Sequence, residues 1–315
     1  MASLTLGTNG IAIAPLGIGT WAWGDTLFWN YGKDYSAAEL QEAFKTALEL
    51  GVSFFDTAEI YGFGESERLL GRFMQQVPGA QIATKYFPLP WRFNADAVAD
   101  ALTASLRRLQ VASVPLYQVH WPLDFFMGQK ALMDALANEV QQGRIGAIGV
   151  SNYSVEQMQK AHKFLAARGI PLAANQVQYS LLARQIEHNG VMAAARDLGV
   201  VILAYSPLAQ GLVTGKYTVE NYQPPTGARK LDPRFSRQGL EKLTPVIDEL
   251  KAIGAAHGKT PAQVALNWLI AQGNVMVIPG AKSAEQVRQN AGALGWEMTA
   301  EELGRVDAVT RNWKA

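Results

Sequence analysis

The chain has 315 residues, 49% hydrophobic and 17% charged, enough apolar material for a large packed core and unlike a disordered chain. Twenty-eight Lys and Arg against 27 Asp and Glu leave a formal charge of +1, which gives no polyelectrolyte basis for binding nucleic acid or an anionic membrane. The chain has no cysteine, which excludes disulfides and thiolate chemistry, and four dispersed histidines (His120, His162, His188 and His257) without an H-E-x-x-H pattern predict no metal site.

The first ten residues have neither a basic start nor a long apolar run, so no secretory signal is expected. Within them, Asn9-Gly10 between two strand-like halves signals a hairpin. A strand at 15–18 precedes a helix at 36–50, where Ser36 and Glu39 have capping-box spacing and Gly51 supplies the stop. The same alternation continues with a strand at 52–55 and a helix at 65–75, then 80–84 with 94–109 and 116–119 with 129–141. Further pairs are 146–150 with 154–167, 173–177 with 191–198, and 200–204 with a long loop and helices at 241–256 and 261–271. The last strand, 275–278, has its helix at 284–293, and 299–309 reads as a terminal helix packed outside.

Eight strand–helix units predict an α/β fold, a single-domain (β/α)8 TIM barrel spanning residues 1–315. The N-terminal hairpin would cover the barrel bottom. A doubly wound open sheet, the alternative, normally has about five to seven strands. No stretch reaches the roughly 18 apolar residues of a membrane span, so the expectation is a soluble, cytoplasmic protein.

In a parallel barrel all strand C-termini open on one face, and active sites lie there. Asp56, Lys85 and His120 each follow an apolar run directly, as do Ser151 and Asn152. Gln176 lies in the next strand, Tyr205 and Ser206 follow the one after, and Gly280 follows the last. Tyr61 would share this mouth with the Asp, the Lys and the His. An ammonium held by a carboxylate favours phenolate and tunes a tyrosine, whose ordinary pKa is near 10. A histidine beside them polarises a carbonyl or stabilises an alkoxide. General acid plus oxyanion stabilisation serves carbonyl reduction, with a nicotinamide or flavin supplying the hydride that no side chain provides.

These motifs carry a family resemblance. Phe55-Asp-Thr-Ala-Glu-Ile-Tyr61-Gly, Lys85, Val119-His-Trp-Pro122 and Gly149-Val-Ser-Asn152 resemble the aldo-keto reductase superfamily. Asn175-Gln-Val-Gln-Tyr-Ser180, Ala204-Tyr-Ser-Pro-Leu208 and Ile278-Pro-Gly-Ala-Lys-Ser283 extend the likeness over nearly the whole chain. Within that superfamily it resembles the bacterial and plant-plastid branch with pyridoxal-reductase-like and potassium-channel β-subunit-like relatives. The resemblance implies Tyr61 as proton donor, Lys85 and Asp56 as the pair that tunes it, and His120 as the carbonyl-orienting group. It implies that Ser151, Asn152 and Gln176 hold the nicotinamide carboxamide and that Tyr205 stacks on the ring. Ser206, Leu208, Gly211 and Lys216 would follow the pyrophosphate; Gly280, Lys282, Gln286 and Asn290 would meet the adenosine-phosphate end. Gln289 stands where the family commonly has glutamate.

Lys282 near a ribose 2′-phosphate predicts NADPH over NADH. Trp21 is placed beside the cofactor, and Trp23, Tyr86, Phe87 and Trp121 as aromatic walls for a small-molecule carbonyl substrate. The loop 222–235 reads as a flap over the cofactor or as an ordinary solvated loop. Two other functions stay open: an NADPH-holding sensor or regulatory subunit with slow residual reductase activity, and imine chemistry through Lys85.

Overall fold

The computed structural model describes residues 3–7, 10–123, 126–224 and 232–313. Two short strands, β1 (Leu4–Leu6) and β2 (Ile11–Ile13), pair antiparallel with Leu4 opposite Ile13. The expected hairpin therefore forms, although Asn9 of its turn lies outside the described residues.

Eight further strands run parallel in chain order, each paired with its neighbours in sequence. They are β3 (Ile18–Gly19), β4 (Phe54–Asp56), β5 (Gln81–Tyr86), β6 (Val114–Val119), β7 (Ile145–Ser151), β8 (Leu172–Gln178), β9 (Val201–Tyr205) and β10 (Val275–Val277). Parallel bridges Leu16–Val277 and Gly19–Gly280 join the first strand region to the last and close the sheet into a barrel. Gly17 N donates to Val277 O at 2.9 Å and Gly19 N to Pro279 O at 3.0 Å across this junction. Glycine is required there, because a Cβ on Gly19 would sit 2.9 Å from the Ile278 carbonyl oxygen.

Helices fill the connections: α1 (Ala37–Glu49), α2 (Glu65–Gln76), α3 (Ala95–Leu109), α4 (Gln129–Gln141), α5 (Val155–Ala166), α6 (Gln185–His188) and α7 (Val191–Asp197). Between β9 and β10 come α8 (Arg237–His257) and α9 (Pro261–Ile270), and after β10 come α10 (Ala284–Ala291) and α11 (Ala300–Thr310). The capping box at Ser36 and Glu39 is present. Helix α8 begins four residues before the expected start, because Ser236 caps it by accepting from Gly239 N. The four-residue α6 has too little length for a periodic signal and was not anticipated. Residues 225–231 of the expected flap lie outside the described residues; its end, Pro233–Phe235, is a single 3-10 turn.

Strand alternation divides the core in two. Phe54, Ala83, Leu116, Leu203 and Met276 point along the barrel axis, where Leu6 and Ile13 of the hairpin join them. Phe55, Ile82, Tyr117 and Val119 point outward into the helix layer. Among the described residues no helix is long and apolar enough to cross a membrane, and no group of His, Asp and Glu is placed to hold a metal ion.

Candidate active site

The inward parity that carries apolar residues at the barrel floor carries polar ones near its top. In β4 the sequence Phe54-Phe55-Asp56 puts Asp56 above Phe54, and in β5 Ala83 and Lys85 share the inner face. Lys85 and Asp56 are sealed from solvent and meet at 2.6 Å, Nζ to Oδ2. Lys85 Nζ also donates to Thr57 O at 2.8 Å and to Tyr61 Oη at 3.4 Å, so its three N–H groups have three acceptors. Asp56 Oδ1 accepts from Gln176 Nε2 at 2.7 Å and Gln118 Nε2 at 3.0 Å.

Tyr61 opens a 3-10 turn, Tyr61–Gly64, in which Gly62 has φ 54°. A Cβ at Gly62 would lie 2.6 Å from Gly24 O, so glycine lets this turn close against the first βα loop. The turn returns the phenol over Lys85, with Nζ 4.9 Å from the ring centre. His120 follows β6, 8% exposed, with its ring edge-on to Tyr61 and to Phe87 at 5.6 Å each. The structure thus brings Asp56, Tyr61, Lys85 and His120 together.

The electrostatics follow from this crowding. Burial pushes the Tyr61 phenol above its ordinary pKa, and Lys85 offsets only part of that rise. The net direction is therefore opposite to the lowering that the ammonium alone suggests, because desolvation outweighs it. Burial pulls Lys85 down, but Asp56 and then Tyr61 more than compensate, leaving it above the usual lysine range. His120 is lowered to about 3, first by burial and then by the nearby Lys85 charge, so its imidazole is neutral near pH 7. Its Nδ1 is buried without a hydrogen-bonding partner among the described residues.

Two of the expected aromatic walls do not face the mouth. Tyr86 follows the inward Lys85 and so points outward; it is 1% exposed, with the Arg92 guanidinium 5.2 Å from its ring centre. Trp23 is fully buried in the helix layer against Phe55 and Phe73, and its Nε1 donates to Ala281 O. Phe87 and the half-exposed Trp121 do lie at the mouth beside His120. Trp21 is similarly exposed and packs edge-on against Trp29 at 5.4 Å. Phe28, Phe63, Trp91 and Phe93, all in loops that follow β3, β4 and β5, are exposed as well.

The expected cofactor residues form a strip along the ends of β7 to β10. Ser151 Oγ donates to Gln176 O at 3.0 Å, and Asn152 Nδ2 to Ser151 Oγ at 3.1 Å. Tyr205 Oη donates to Asn152 Oδ1 at 3.2 Å. Asn152 and Ser206 have φ of 60° and 51°, conformations uncommon outside glycine. Leu208 precedes the 3-10 turn Ala209–Thr214, within which Gly211 has φ 97°. Lys216 stands over Gly211, whose added Cβ would be 3.2 Å from Lys216 Cε. Beyond β10, Lys282 N donates to Gln286 Oε1 at 2.7 Å, and Lys282 Nζ lies 4.4 Å from the Tyr35 ring centre. Asn290 Nδ2 reaches Gly280 O at 3.5 Å, whereas the exposed Gln289 donates its amide to Glu285 on its own helix.

The aldo/keto reductase family model matches residues 15–311. The chain belongs to the aldo/keto reductase family. Chloroplastic pyridoxal reductase of Arabidopsis thaliana is 40% identical over 305 residues, covering 93% of this chain and 82% of the plant protein. The structure of glycerol dehydrogenase from Gluconobacter oxydans is similar with a TM-score of 0.87 at 30% identity, covering 98% of this chain and 95% of that one. An aldo-keto reductase from Klebsiella pneumoniae, solved in complex with NADPH, has a TM-score of 0.76 at 29% identity, with 98% and 96% coverage.

This aldo/keto reductase also contains site neighbours that the sequence reading missed. Gln118 shares the inward face of β6 with Leu116 and precedes His120 by two, a parity signal readable in the sequence. Glu59 takes Phe87 N at 2.7 Å and Arg92 Nη2 at 2.9 Å, fastening the aromatic loop after β5 to the segment that carries Tyr61. Local sequence gives no sign of that pair, whose members are 33 positions apart.

Proposed function

We propose that this protein is an NADPH-dependent reductase of aldehydes and ketones. The reading is carried by Tyr61 Oη placed 3.4 Å from a Lys85 ammonium that Asp56 holds, at the open end of the barrel. Tyr61 remains protonated near neutral pH because burial raises its pKa, and Lys85 stabilises the phenolate left once the proton has gone to the carbonyl oxygen. Neutral His120 orients that carbonyl by hydrogen bonding, while Phe87 and Trp121 supply an apolar wall.

The chemistry of the strip suits a dinucleotide. Ser151, Asn152 and Gln176 offer hydroxyl and amide groups at one end, with Tyr205 as the stacking ring, and Trp21 is assigned to the cofactor as well. Ser206, Leu208, Gly211 and Lys216 line the pyrophosphate path; Gly280, Lys282, Gln286 and Asn290 meet the adenosine phosphate. Gln289, committed to Glu285, contributes less there. When bound, NADPH supplies the hydride that side chains cannot. Pyridoxal belongs among the carbonyls to test, given the plant relative's name.

Imine chemistry is disfavoured here, because Lys85 is held as an ammonium with all three N–H groups engaged. The deciding experiment is NADPH oxidation across a carbonyl panel with Tyr61→Phe alongside. Turnover should fall at least about 100-fold in the variant, the scale of general acid catalysis, with NADPH affinity kept. Near-native turnover in Tyr61→Phe would remove the proton-donor role. NADPH binding with no turnover by the unsubstituted protein would favour a sensor instead.

A further inference from the structure

We infer that Gln118 is a positioning residue for the proton-donating machinery, acting through Asp56; this rests on the reductase reading above. Gln118 is fully buried, and its Nε2 donates to Asp56 Oδ1 at 3.0 Å. Its Oε1 accepts from Gln176 Nε2 at 3.2 Å, and Gln176 Nε2 donates again to Asp56 Oδ1 at 2.7 Å. The two amides and one carboxylate oxygen therefore close a ring of three hydrogen bonds. With Oδ1 fixed by two neutral donors, Oδ2 is the oxygen presented to Lys85 Nζ at 2.6 Å.

The neighbouring strand makes room for this side chain. A Cβ on Gly149 would lie 2.9 Å from Gln118 Cγ, so Gly149 leaves space for an amide that a larger residue would displace. A buried carboxylate paired with one ammonium still has lone pairs to satisfy, and an unsatisfied one is costly. Gln118 satisfies one of them without adding charge. The titratable groups around it are Asp56 on β4, Lys85 on β5, His120 after β6, Tyr61 on the turn above and Tyr205 on β9.

The test uses the whole protein and two substitutions. Gln118→Met keeps length and apolar bulk but cannot donate; kcat for carbonyl reduction should fall about tenfold, the equivalent of ~1.4 kcal/mol in the barrier, with the Kd for NADPH within about twofold. Gln118→Glu donates to Asp56 only while its new carboxyl is protonated, and once ionised it sets a second negative charge against Asp56. Its rate should therefore fall with rising pH across a range where the unsubstituted protein is flat. Unsubstituted kcat and pH profile in Gln118→Met would overturn the proposal. So would a parallel loss of kcat, NADPH affinity and thermal stability, which marks a packing role alone. Absence of turnover in the unsubstituted protein would instead defeat the reductase reading, and that is seen without either variant.

Discussion

The indole of Trp23 donates its Nε1–H to the carbonyl of Ala281, 2.8 Å away and 258 positions along the chain. Both residues are buried, so the bond ties the loop after the first barrel strand to the loop after the last. Trp23→Phe keeps a ring but leaves the Ala281 carbonyl unpaired, which should cost about 1–3 kcal/mol of stability. Chemical denaturation reads this directly. An unchanged unfolding midpoint would mean that water or a shifted backbone takes over the indole's part.

Ala281 is followed by Lys282, whose ammonium rests against Tyr35 and Trp29. Lys282→Ala should reduce the preference for NADPH over NADH by about tenfold, roughly the worth of one hydrogen bond to a charged group at ~1.5 kcal/mol. Fluorescence titration with both cofactors measures it. Equal affinities in the unsubstituted protein would remove the premise.

Lys85 and Asp56 depend on each other. Lys85→Met leaves a buried carboxylate without its countercharge and should destabilise the fold by about 3–5 kcal/mol. Adding Asp56→Asn should restore part of that loss, because the surviving group is then neutral. The double-mutant cycle in urea isolates the coupling. Strictly additive losses would argue against the pairing.

His120 contributes to acid sensitivity. Its pKa is lowered to about 3 in the folded state against 6.5 unfolded, so between those values the unfolded chain binds the extra proton. Stability is therefore intact above about pH 6.5 and declines as pH falls towards 3, by up to about 1.4 kcal/mol per pH unit from this residue. His120→Gln should be less acid-sensitive than the unsubstituted protein over that window. Identical pH dependence in the two would exclude His120 as a contributor.

The Glu59–Arg92 bridge bears on substrate binding rather than on chemistry. Arg92→Leu should loosen the loop bearing Phe87, raising KM for bulky carbonyls several-fold while kcat stays within about twofold. A loss confined to kcat would place the effect on the reacting groups instead.

The strand–helix alternation and the polar residues at strand ends were legible because each depends on local pattern. Side-chain direction was less so. Tyr86 was expected to wall the mouth because it lies beside a strand end, yet its place next to the inward Lys85 turns it to the opposite face of β5. The same rule would have drawn Gln118 in beside His120. Trp23 lies after its strand, where alternation no longer applies, and its direction is set by packing on Phe55 and Phe73 and by the bond to Ala281, all distant in sequence. The pKa of Tyr61 was also beyond reach, since the balance between burial and Lys85 depends on how deeply the turn seats the phenol.

The hairpin closes the barrel's lower end beneath the charged pair. Leu6 and Ile13 stack beneath Phe54, Leu116, Leu203 and Met276, so the axis below Lys85 and Asp56 is a hydrocarbon plug. In the proposed reduction, a proton given up by Tyr61 would find no polar relay among the described residues of that floor. Its replacement would then arrive by the route that substrate and product use, coupling the recharging of the acid to clearing of the doorway.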